Sequence, residues 1–396
     1  MKSNPANCPS WLERKILEEG GEISFYDFMN IALNDKNNGY YGSGKAQIGR
    51  MGDFVTSPSL TDDFSFLLSK QIEEWLLEII NKIESNKKLT ILEFGSGDGS
   101  LLRGVIKYFL EKNKEFIKKI SFEIFEPNNG MRSKQKDLLN QYLDQGIEIK
   151  WLTLEELKIN KFDGIVLAHE VFDAFPVERV QYSKGTLFQQ VVSLNKDKKL
   201  FLNKAPLTSK LIKRIDFIQS SLEISIPPLN APLDWTNEIH IDNYLWLKNV
   251  YESINNGILL VIDYSLDAKR YYSPNKYDGN LVAYNKQKMT NNILKSPGDY
   301  DLTTHLCNEI LILDAEMAGF KFDGMLKQGE ALLSLGLAEM IFDIQEKYKN
   351  NISEALLQRE ALLRLVDPIC LGDFKWFVFQ KTLNKELSIK TKILTI

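Results

Sequence analysis

The sequence predicts an α/β protein in which a mostly parallel, Rossmann-like sheet carries helices on both faces. First, seven strand-like segments alternate with amphipathic helices between residues 89 and 381, the pattern of repeated strand–helix–strand units. Second, a glycine-rich turn directly follows the first of these strands. Third, the second strand ends in an acidic side chain, at the sheet edge where such folds bind their ligands.

Each element of the sheet has its own signal. Strands are predicted where apolar residues run or alternate, at residues 89–94, 120–126, 147–152, 162–169, 257–264, 320–326 and 376–381. Helices are predicted where apolar residues recur every three or four positions, at residues 60–84, 99–112, 131–144 and 241–255.

The part of the chain before the sheet is expected to form N-terminal helices and a loop, over residues 1–84. Two short helices are predicted within residues 9–34, the second capped by Ser24. Residues 35–58 are rich in glycine, which is typical of a surface loop and also of a lid over a ligand. Both readings of this loop remain open from the sequence.

The sheet itself is assigned to a domain at residues 85–396, with two insertions. The first, at about 176–240, contains a hairpin that is expected to turn at Lys184-Gly185. The second, at about 327–372, is expected to be mainly helical because its apolar residues have helical spacing.

Bulk composition argues against several classes of protein. The net charge is -4, whereas dedicated nucleic-acid binders usually carry a basic excess. The three cysteines and three histidines lie far apart, so neither a metal site nor a disulfide framework is expected. The chain has no apolar run of about 18 residues, the length that a membrane span needs, and charges interrupt its first 30 residues. We therefore expect no membrane span and no secretory signal, and we expect a cytoplasmic location.

The glycine-rich turn at residues 93–99 is the first candidate binding element. Gly95 and Gly97 let the backbone approach a ligand closely. The carboxylate of Glu93 would repel a pyrophosphate but would attract the ammonium and sulfonium of S-adenosylmethionine. Glu126 ends the second strand, where a carboxylate can accept hydrogen bonds from ribose hydroxyls. Because Glu126 would serve NAD equally well, it does not discriminate between the two ligands.

The second candidate element follows the fourth strand, over residues 169–178. In this topology the fourth strand lies beside the first, so its end faces the same ligand. Glu170 and Asp173 are candidate charge partners for a cationic nucleophile, with Phe172 and Phe175 as walls. The alternative is a helix start at which acidic residues are favoured by the helix dipole.

Six segments in order carry a shared pattern. They are Gly49–Pro58, Leu92–Leu101, the segment beginning at Glu126, Glu170–Pro176, Leu260–Tyr264 and Pro297–His305. Together these segments resemble the MidA-like methyltransferases, a family that includes an arginine methyltransferase acting in the assembly of mitochondrial complex I. This chain departs from the family pattern at Ser59, Ser96, Pro127, Asn129 and His169. The departures bear on the substrate more than on the cofactor.

The resemblance implies a seven-stranded class I methyltransferase fold, S-adenosyl-L-methionine as cofactor and an arginine of a partner protein as methyl acceptor. It implies Glu170 as the first carboxylate of the arginine site, with Asp173 or Glu178 as the second. Residues expected on the cofactor side are Gly52, Asp53, Phe54, Glu93, Gly95, Gly97, Glu126 and His169. Residues expected on the substrate side are Phe172, Asp301 and His305.

Two other functions stay open at this point. One is a catalytically weak or inactive assembly factor that binds S-adenosylmethionine, and the other is an NAD-dependent oxidoreductase. The sequence does not determine the oligomeric state or the methylated protein.

Overall fold

The computed structural model describes residues 5–83, 88–384 and 388–394. Within them lies a seven-stranded main sheet. Its strands are, in spatial order, Lys321–Lys327, Lys375–Lys381, Ile254–Asp263, Phe162–His169, Leu89–Phe94, Ile120–Phe125 and Ile149–Leu152. Neighbouring strands are parallel, except that Lys375–Lys381 is antiparallel to both of its neighbours. The predicted α/β class and the mostly parallel Rossmann-like sheet are confirmed.

The central strands of the main sheet are buried on both faces, which explains why Leu89–Phe94, Phe162–His169 and Ile254–Asp263 are largely apolar runs. Side chains alternate across the sheet. Ile91 and Ile165 therefore pack into one hydrophobic cluster, whereas Leu92 and Val166 pack into another. The first cluster includes the long helix Asp62–Ile83. The predicted boundary between residues 84 and 85 lies outside the described residues.

The helices cover these faces and the insertions. In the described part of the chain they are Ser10–Glu18, Phe25–Asn34, Ser57–Leu60, Asp62–Ile83, Ser100–Lys112, Asn129–Leu143, Leu154–Ile159, Ser209–Leu222, Asn243–Ser253, Ala268–Tyr271, Asn308–Ala318, Gln328–Ser334, Leu337–Lys347 and Ile352–Val366, with short 3-10 turns at Ile117–Lys119 and Lys392–Leu394. Among these described helices, none combines the length and the apolar character that crossing a bilayer would need.

A second sheet is built from the first insertion and the N-terminal segment. Its strands are Ala6–Asn7, Lys199–Ala205, Thr186–Leu194, Val177–Ser183 and Thr236–His240, with Glu22–Ser24 paired to Thr186–Leu194. The hairpin turns at Lys184-Gly185 as predicted. Helix Phe25–Asn34 packs beside this sheet, and its N-terminus is capped by Ser24 Oγ, which accepts the backbone N–H of Asp27 at 2.9 Å. The participation of the N-terminal segment in this sheet was not predicted.

Smaller elements complete the fold. A three-stranded sheet contains Val282–Asn285, Lys288–Thr290 and Asp301–Thr303, and a short parallel pair joins Ser265–Leu266 to Leu306–Cys307. The second insertion is helical as expected, and its helices extend from residue 328 to residue 366.

Candidate active site

A cavity of about 1160 Å³ opens at the carboxyl edge of the main sheet. Its wall includes Gly95, Glu126, Glu170 and Tyr264, which follow or end four neighbouring strands. Small-molecule sites commonly measure about 300–1,000 Å³. The cavity is therefore large enough for a cofactor and for part of a second reactant.

The glycine-rich turn forms one side of this cavity. Gly95 and Gly97 have φ values of 57° and 55°, a left-handed conformation that favours glycine. A Cβ at Gly95 would lie 3.2 Å from Val171 Cγ2, and one at Gly97 would lie 2.9 Å from Ile48 Cδ1. Both glycines therefore allow a close approach that a side chain would block.

Two buried carboxylates border the turn. Glu93 accepts a hydrogen bond from Ser96 Oγ at 2.5 Å, and burial raises its pKa to about 8. Burial also raises the pKa of Glu126 to about 7, although its oxygens accept from Asn128 N at 2.9 Å and Gln135 Nε2 at 3.1 Å. A raised pKa means that the surroundings do not stabilise the ionised carboxylate enough to offset its loss of hydration on burial. Cationic or hydroxyl donors of a ligand would supply the missing stabilisation.

Beside the turn, Glu170 occupies a strained position after strand Phe162–His169. Its φ is 52°, which is uncommon for a residue other than glycine, and its N–H donates to Ile262 O at 2.8 Å. Its Oε1 is buried, and no hydrogen-bond partner is found for it among the described residues. Burial, and then the charges of Asp173 and Asp301, raise the pKa of Glu170 well above its usual value.

Asp173 lies beside Glu170, and only one of its two carboxylate oxygens is hydrogen-bonded within the described residues. Its Oδ2 accepts hydrogen bonds from Tyr264 Oη at 2.8 Å and from Thr303 Oγ1 at 2.7 Å. Its Oδ1 is buried, and the described part of the chain offers it no partner. Burial raises the pKa of Asp173, so a donor from a ligand would stabilise its charged form.

Asp301 reaches the same cavity from the small three-stranded sheet. It accepts a hydrogen bond from Tyr41 Oη at 2.8 Å. Burial and the charge of Asp173 raise its pKa to about 7. His305 also lines the cavity; its ring centroid lies 5.0 Å from that of Tyr264, and burial lowers its pKa to about 4. The structure thus brings Asp301 and His305 to the wall that holds Glu170 and Asp173.

Asp263 supports this arrangement from beneath. It is fully buried, and its Oδ2 accepts the N–H groups of Phe172 and Asp173, both at 3.2 Å. Its Oδ1 accepts the N–H of Tyr264 at 2.9 Å. Asp263 therefore fixes the turn that carries the two acceptor carboxylates. In the sequence Asp263 and Tyr264 stood out only as parts of a motif, and Tyr41 received no role. Thr303 was expected on the substrate side, and it lines the cavity.

The glycine-rich loop 35–58 borders the cavity through Asp53 and Phe54. Asp53 accepts hydrogen bonds from Tyr40 Oη at 2.8 Å and from Lys286 N at 2.9 Å. These bonds tie the loop to the small sheet. His169 lines the cavity as well, and burial lowers its pKa to about 3, so it is neutral at physiological pH.

Three predicted site residues lie elsewhere. Glu178, expected as a possible second carboxylate, lies in the second sheet, where it accepts a hydrogen bond from Gln189 Nε2 at 2.9 Å. Phe172 packs in the hydrophobic core under the cavity wall, with its ring centroid 4.7 Å from that of Trp246. Gly52 does not line the cavity, and its N–H donates to Gly49 O at 2.8 Å. The structure does not bring these residues to the cavity.

The charge of the cavity wall is strongly one-sided. Among the described residues, its acidic members are Asp53, Glu93, Asp98, Glu126, Glu170, Asp173, Asp242, Asp301 and Asp373, whereas Arg364 is its one lysine or arginine. No three of the described acidic, histidine or cysteine side chains are grouped as metal ligands. The wall is therefore suited to organic cations.

The strand order of the main sheet, the glycine turn and the acidic cavity together define an S-adenosyl-L-methionine-dependent methyltransferase. Residues 71–326 match the model of the Methyltransf_28 family of these enzymes. The chain belongs to this family, and S-adenosyl-L-methionine is its cofactor. This assignment removes the NAD-dependent alternative.

Relatives agree with this assignment. The chain is 24% identical, over 94% of its own length and 84% of the relative's, to the mitochondrial protein arginine methyltransferase NDUFAF7 homolog of Drosophila melanogaster. It is 23% identical to the Caenorhabditis elegans homolog, over 92% of its own length and 84% of the homolog's. The chain also shares the fold of a COG1565 superfamily member from Burkholderia thailandensis that was crystallised with S-adenosyl-homocysteine. The TM-score is 0.80 and the identity is 22%, over 95% of this chain and 92% of the other.

Proposed function

We propose that this methyltransferase transfers the methyl group to an arginine side chain of a partner protein. The observation that carries the proposal is a pair of buried carboxylate oxygens, Glu170 Oε1 and Asp173 Oδ1. Neither has a hydrogen-bond partner among the described residues, although His169 Nδ1 lies 3.7 Å from Glu170 Oε1. Buried polar groups are normally hydrogen-bonded. Two carboxylate oxygens without hydrogen-bond donors in the wall of one cavity therefore point to a ligand with several N–H groups, and a guanidinium has five in a planar fork.

The carboxylates would also address the chemical difficulty of the acceptor. A guanidinium is a poor nucleophile because its charge and lone pairs are delocalised. Hydrogen bonds from two of its nitrogens to Glu170 and Asp173 would concentrate positive charge on those nitrogens and leave electron density on the third. Transfer also releases one N–H proton. Asp301, with a pKa of about 7, is suited to receive it at physiological pH.

The cofactor side has its own assignments. Glu126 would hold the ribose hydroxyls and Glu93 would face the cationic amino acid end, while Gly95 and Gly97 allow close backbone approach. S-Adenosylmethionine supplies an electrophilic methyl group when it is bound. The protein's contribution is to align the acceptor with that methyl group and to exclude water, tasks that need fixed geometry more than acid–base chemistry.

The names of the relatives support arginine as acceptor, because the Drosophila melanogaster and Danio rerio proteins are both called protein arginine methyltransferases. Their identity to this chain is only 24%, so the carboxylate pair carries the argument. We extend the proposal to a partner protein as substrate, and the expected cytoplasmic location stays a prediction.

The test is to supply radiolabelled S-adenosylmethionine and two peptides that differ only in one residue, arginine or lysine, and to identify the labelled amino acid after hydrolysis. Label in methylarginine from the arginine peptide alone is the expected result. Label in methyllysine, or transfer only to small molecules, would remove arginine from the function while leaving the methyltransferase assignment intact.

A further inference from the structure

A buried glutamine joins two parts of the cofactor side of the cavity. Gln135, on helix Asn129–Leu143, is fully buried and does not itself line the cavity. Its Nε2 donates to Gly97 O at 3.0 Å and to Glu126 Oε2 at 3.1 Å. Gly97 and Glu126 both line the cavity, so a single amide group links the glycine-rich turn to the carboxylate that follows strand Ile120–Phe125.

The orientation of this amide is fixed by a third partner. Trp151 Nε1, on the neighbouring strand Ile149–Leu152, donates to Gln135 Oε1 at 3.0 Å. An indole N–H can only donate, whereas a carbonyl oxygen or an ionised carboxylate can only accept. Turning the amide by about 180° would set its NH2 group against Trp151 and its oxygen against Gly97 and Glu126. Only one orientation of the amide therefore satisfies all three partners.

The same contacts determine how Glu126 is presented to a ligand. Asn128 N donates to its Oε1 at 2.9 Å, and Gln135 donates to its Oε2, so the protein holds both oxygens. A carboxylate has about four lone-pair sites, which leaves sites on Glu126 for the hydroxyl groups of a ribose. Without Gln135, the carboxylate would lose the donor on one oxygen and its link to the glycine-rich turn.

We infer that Gln135 is a positioning residue for ribose recognition, which acts through Glu126 and fixes that carboxylate relative to the glycine-rich turn. The inference rests on the proposed role of Glu126 toward the ribose hydroxyls. It does not involve the methyl acceptor, so it is tested by cofactor binding alone.

The test compares two ligands that differ in one hydroxyl group, S-adenosyl-homocysteine and its 2′-deoxyribose analogue, by isothermal titration calorimetry. The wild-type protein is expected to bind S-adenosyl-homocysteine roughly 10- to 100-fold more tightly than the analogue, the range for a hydrogen bond to a charged group. Gln135→Met keeps the approximate length of the side chain and removes its hydrogen bonds. It is expected to reduce the preference for the ribose by roughly tenfold.

The matched control is Gln328→Met. Gln328 is also fully buried, its Oε1 accepts from Trp376 Nε1 at 3.4 Å, and its Nε2 donates to Leu371 O at 3.0 Å. It does not line the cavity. Both methionine variants are expected to lose thermal stability, because each leaves buried polar groups without partners. Only Gln135→Met is expected to lose the preference for the ribose.

The pH dependence of binding gives a second readout. Burial raises the pKa of Glu126 to about 7, and the hydrogen bond from Gln135 acts in the opposite direction. Arg132 and Glu93 also interact with the charge of Glu126, and both stay in place in all variants. Removing the Gln135 amide therefore raises the pKa of Glu126 further. In Gln135→Met, binding of S-adenosyl-homocysteine is expected to tighten over a higher pH range than in the wild type, whereas Gln328→Met should leave that range unchanged.

A second variant, Gln135→Glu, has nearly the shape of the wild-type side chain. Its ionised carboxylate offers no donor to Glu126, so the same loss of preference for the ribose is expected. Circular dichroism checks that the variants fold. An unchanged preference in either folded Gln135 variant, or an equal loss in Gln328→Met, would overturn the inference.

Failure of the proposed role of Glu126 gives a different result. A wild-type protein that binds the two ligands equally would refute the ribose role of Glu126, and with it the role of Gln135. A preference that is present in the wild type and survives in Gln135→Met would refute the role of Gln135 alone.

Discussion

Replacing Glu170 by glutamine tests the acceptor site most directly. The substitution keeps the shape of the side chain and removes its negative charge. Losing one partner of a buried, hydrogen-bonded charge pair costs about 2–5 kcal/mol. At about 1.4 kcal/mol per factor of ten, kcat/KM for methyl transfer is expected to fall roughly 30- to 4,000-fold. Affinity for S-adenosyl-homocysteine is expected to stay unchanged, because Glu170 lies on the acceptor side.

The same substitution should not weaken the fold. The pKa of Glu170 is raised in the folded protein, so its proton is bound more tightly there than in the unfolded chain. Stability is therefore lost as pH rises above the ordinary value of 4.5 toward the folded pKa. Glutamine removes this loss, so the variant's free energy of unfolding at pH 7 should equal or exceed that of the wild type.

Glu178→Gln is the matched control, because Glu178 is also a buried carboxyl whose pKa is raised, to about 7, but it lies outside the cavity. Methyl transfer is measured with tritiated cofactor, and stability by thermal unfolding at about pH 5 and pH 7. Wild-type turnover in Glu170→Gln, or an equal loss in Glu178→Gln, would refute the assignment of the acceptor carboxylate.

Three further predictions concern the cofactor and the support of the site. Binding of S-adenosyl-homocysteine should release protons and tighten as pH rises from about 6 to about 8. The reason is that hydrogen-bond donors of the ligand lower the pKa values of Glu93 and Glu126 from about 8 and about 7. Calorimetry in buffers of different ionisation enthalpy measures the protons released, and proton uptake on binding would contradict the prediction. Gly95→Val should abolish cofactor binding. The control is Gly146→Val, at another positive φ of 80° but with open space around it, which should destabilise the fold without affecting cofactor binding. Equal cofactor affinities in the two variants would refute the assignment of the glycine-rich turn to the cofactor site. Asp263→Asn should lower the free energy of unfolding by about 1–3 kcal/mol, because the amide group turns a donor toward backbone N–H groups. The same substitution should reduce kcat with little change in cofactor affinity. An unchanged kcat would show that Asp263 does not position the site.

The main sheet could be predicted from the sequence because its signals are local. Strand Leu89–Phe94 is buried along its whole length and reads as an apolar run followed at once by glycines. Such a pattern specifies both the strand and the turn. The carboxyl ends of parallel strands share one edge, so Glu126 and Glu170 could be assigned to one cavity before their contacts were known.

The second sheet could not be predicted in the same way. Strands Ala6–Asn7 and Glu22–Ser24 are only two and three residues long, too short for a periodic signal. They gain their pairing from residues well over a hundred positions away, Leu200 and Val192 among them. Pairing over such distances is decided by tertiary packing, which the local sequence does not record.

The misplacement of Glu178 has a different cause, and the sequence did contain the means to avoid it. The hairpin predicted to turn at Lys184-Gly185 already implied that this glutamate lies in the strand before the turn. That strand carries the chain from the cavity into the second sheet. The family resemblance had suggested Glu178 as a partner of Glu170, but strand Val177–Ser183 places it in the second sheet, where it accepts a hydrogen bond from Gln189.

The excess of carboxylates in the cavity follows from the charges of the two reactants. The methyl donor carries a sulfonium and the proposed acceptor is a guanidinium, and reacting atoms must come within about 3–3.5 Å of each other. Two unit charges about 4 Å apart repel by about 4 kcal/mol at an effective dielectric constant near 20. Glu170 and Asp173 can offset this repulsion only when they are ionised, and their raised pKa values show that the protein alone does not favour ionisation. The arriving cation completes the site electrostatically, whereas a neutral hydroxyl acceptor would leave the same carboxylates uncompensated. The excess of carboxyl groups in the wall therefore favours a cationic acceptor, because its charge would stabilise their ionised forms.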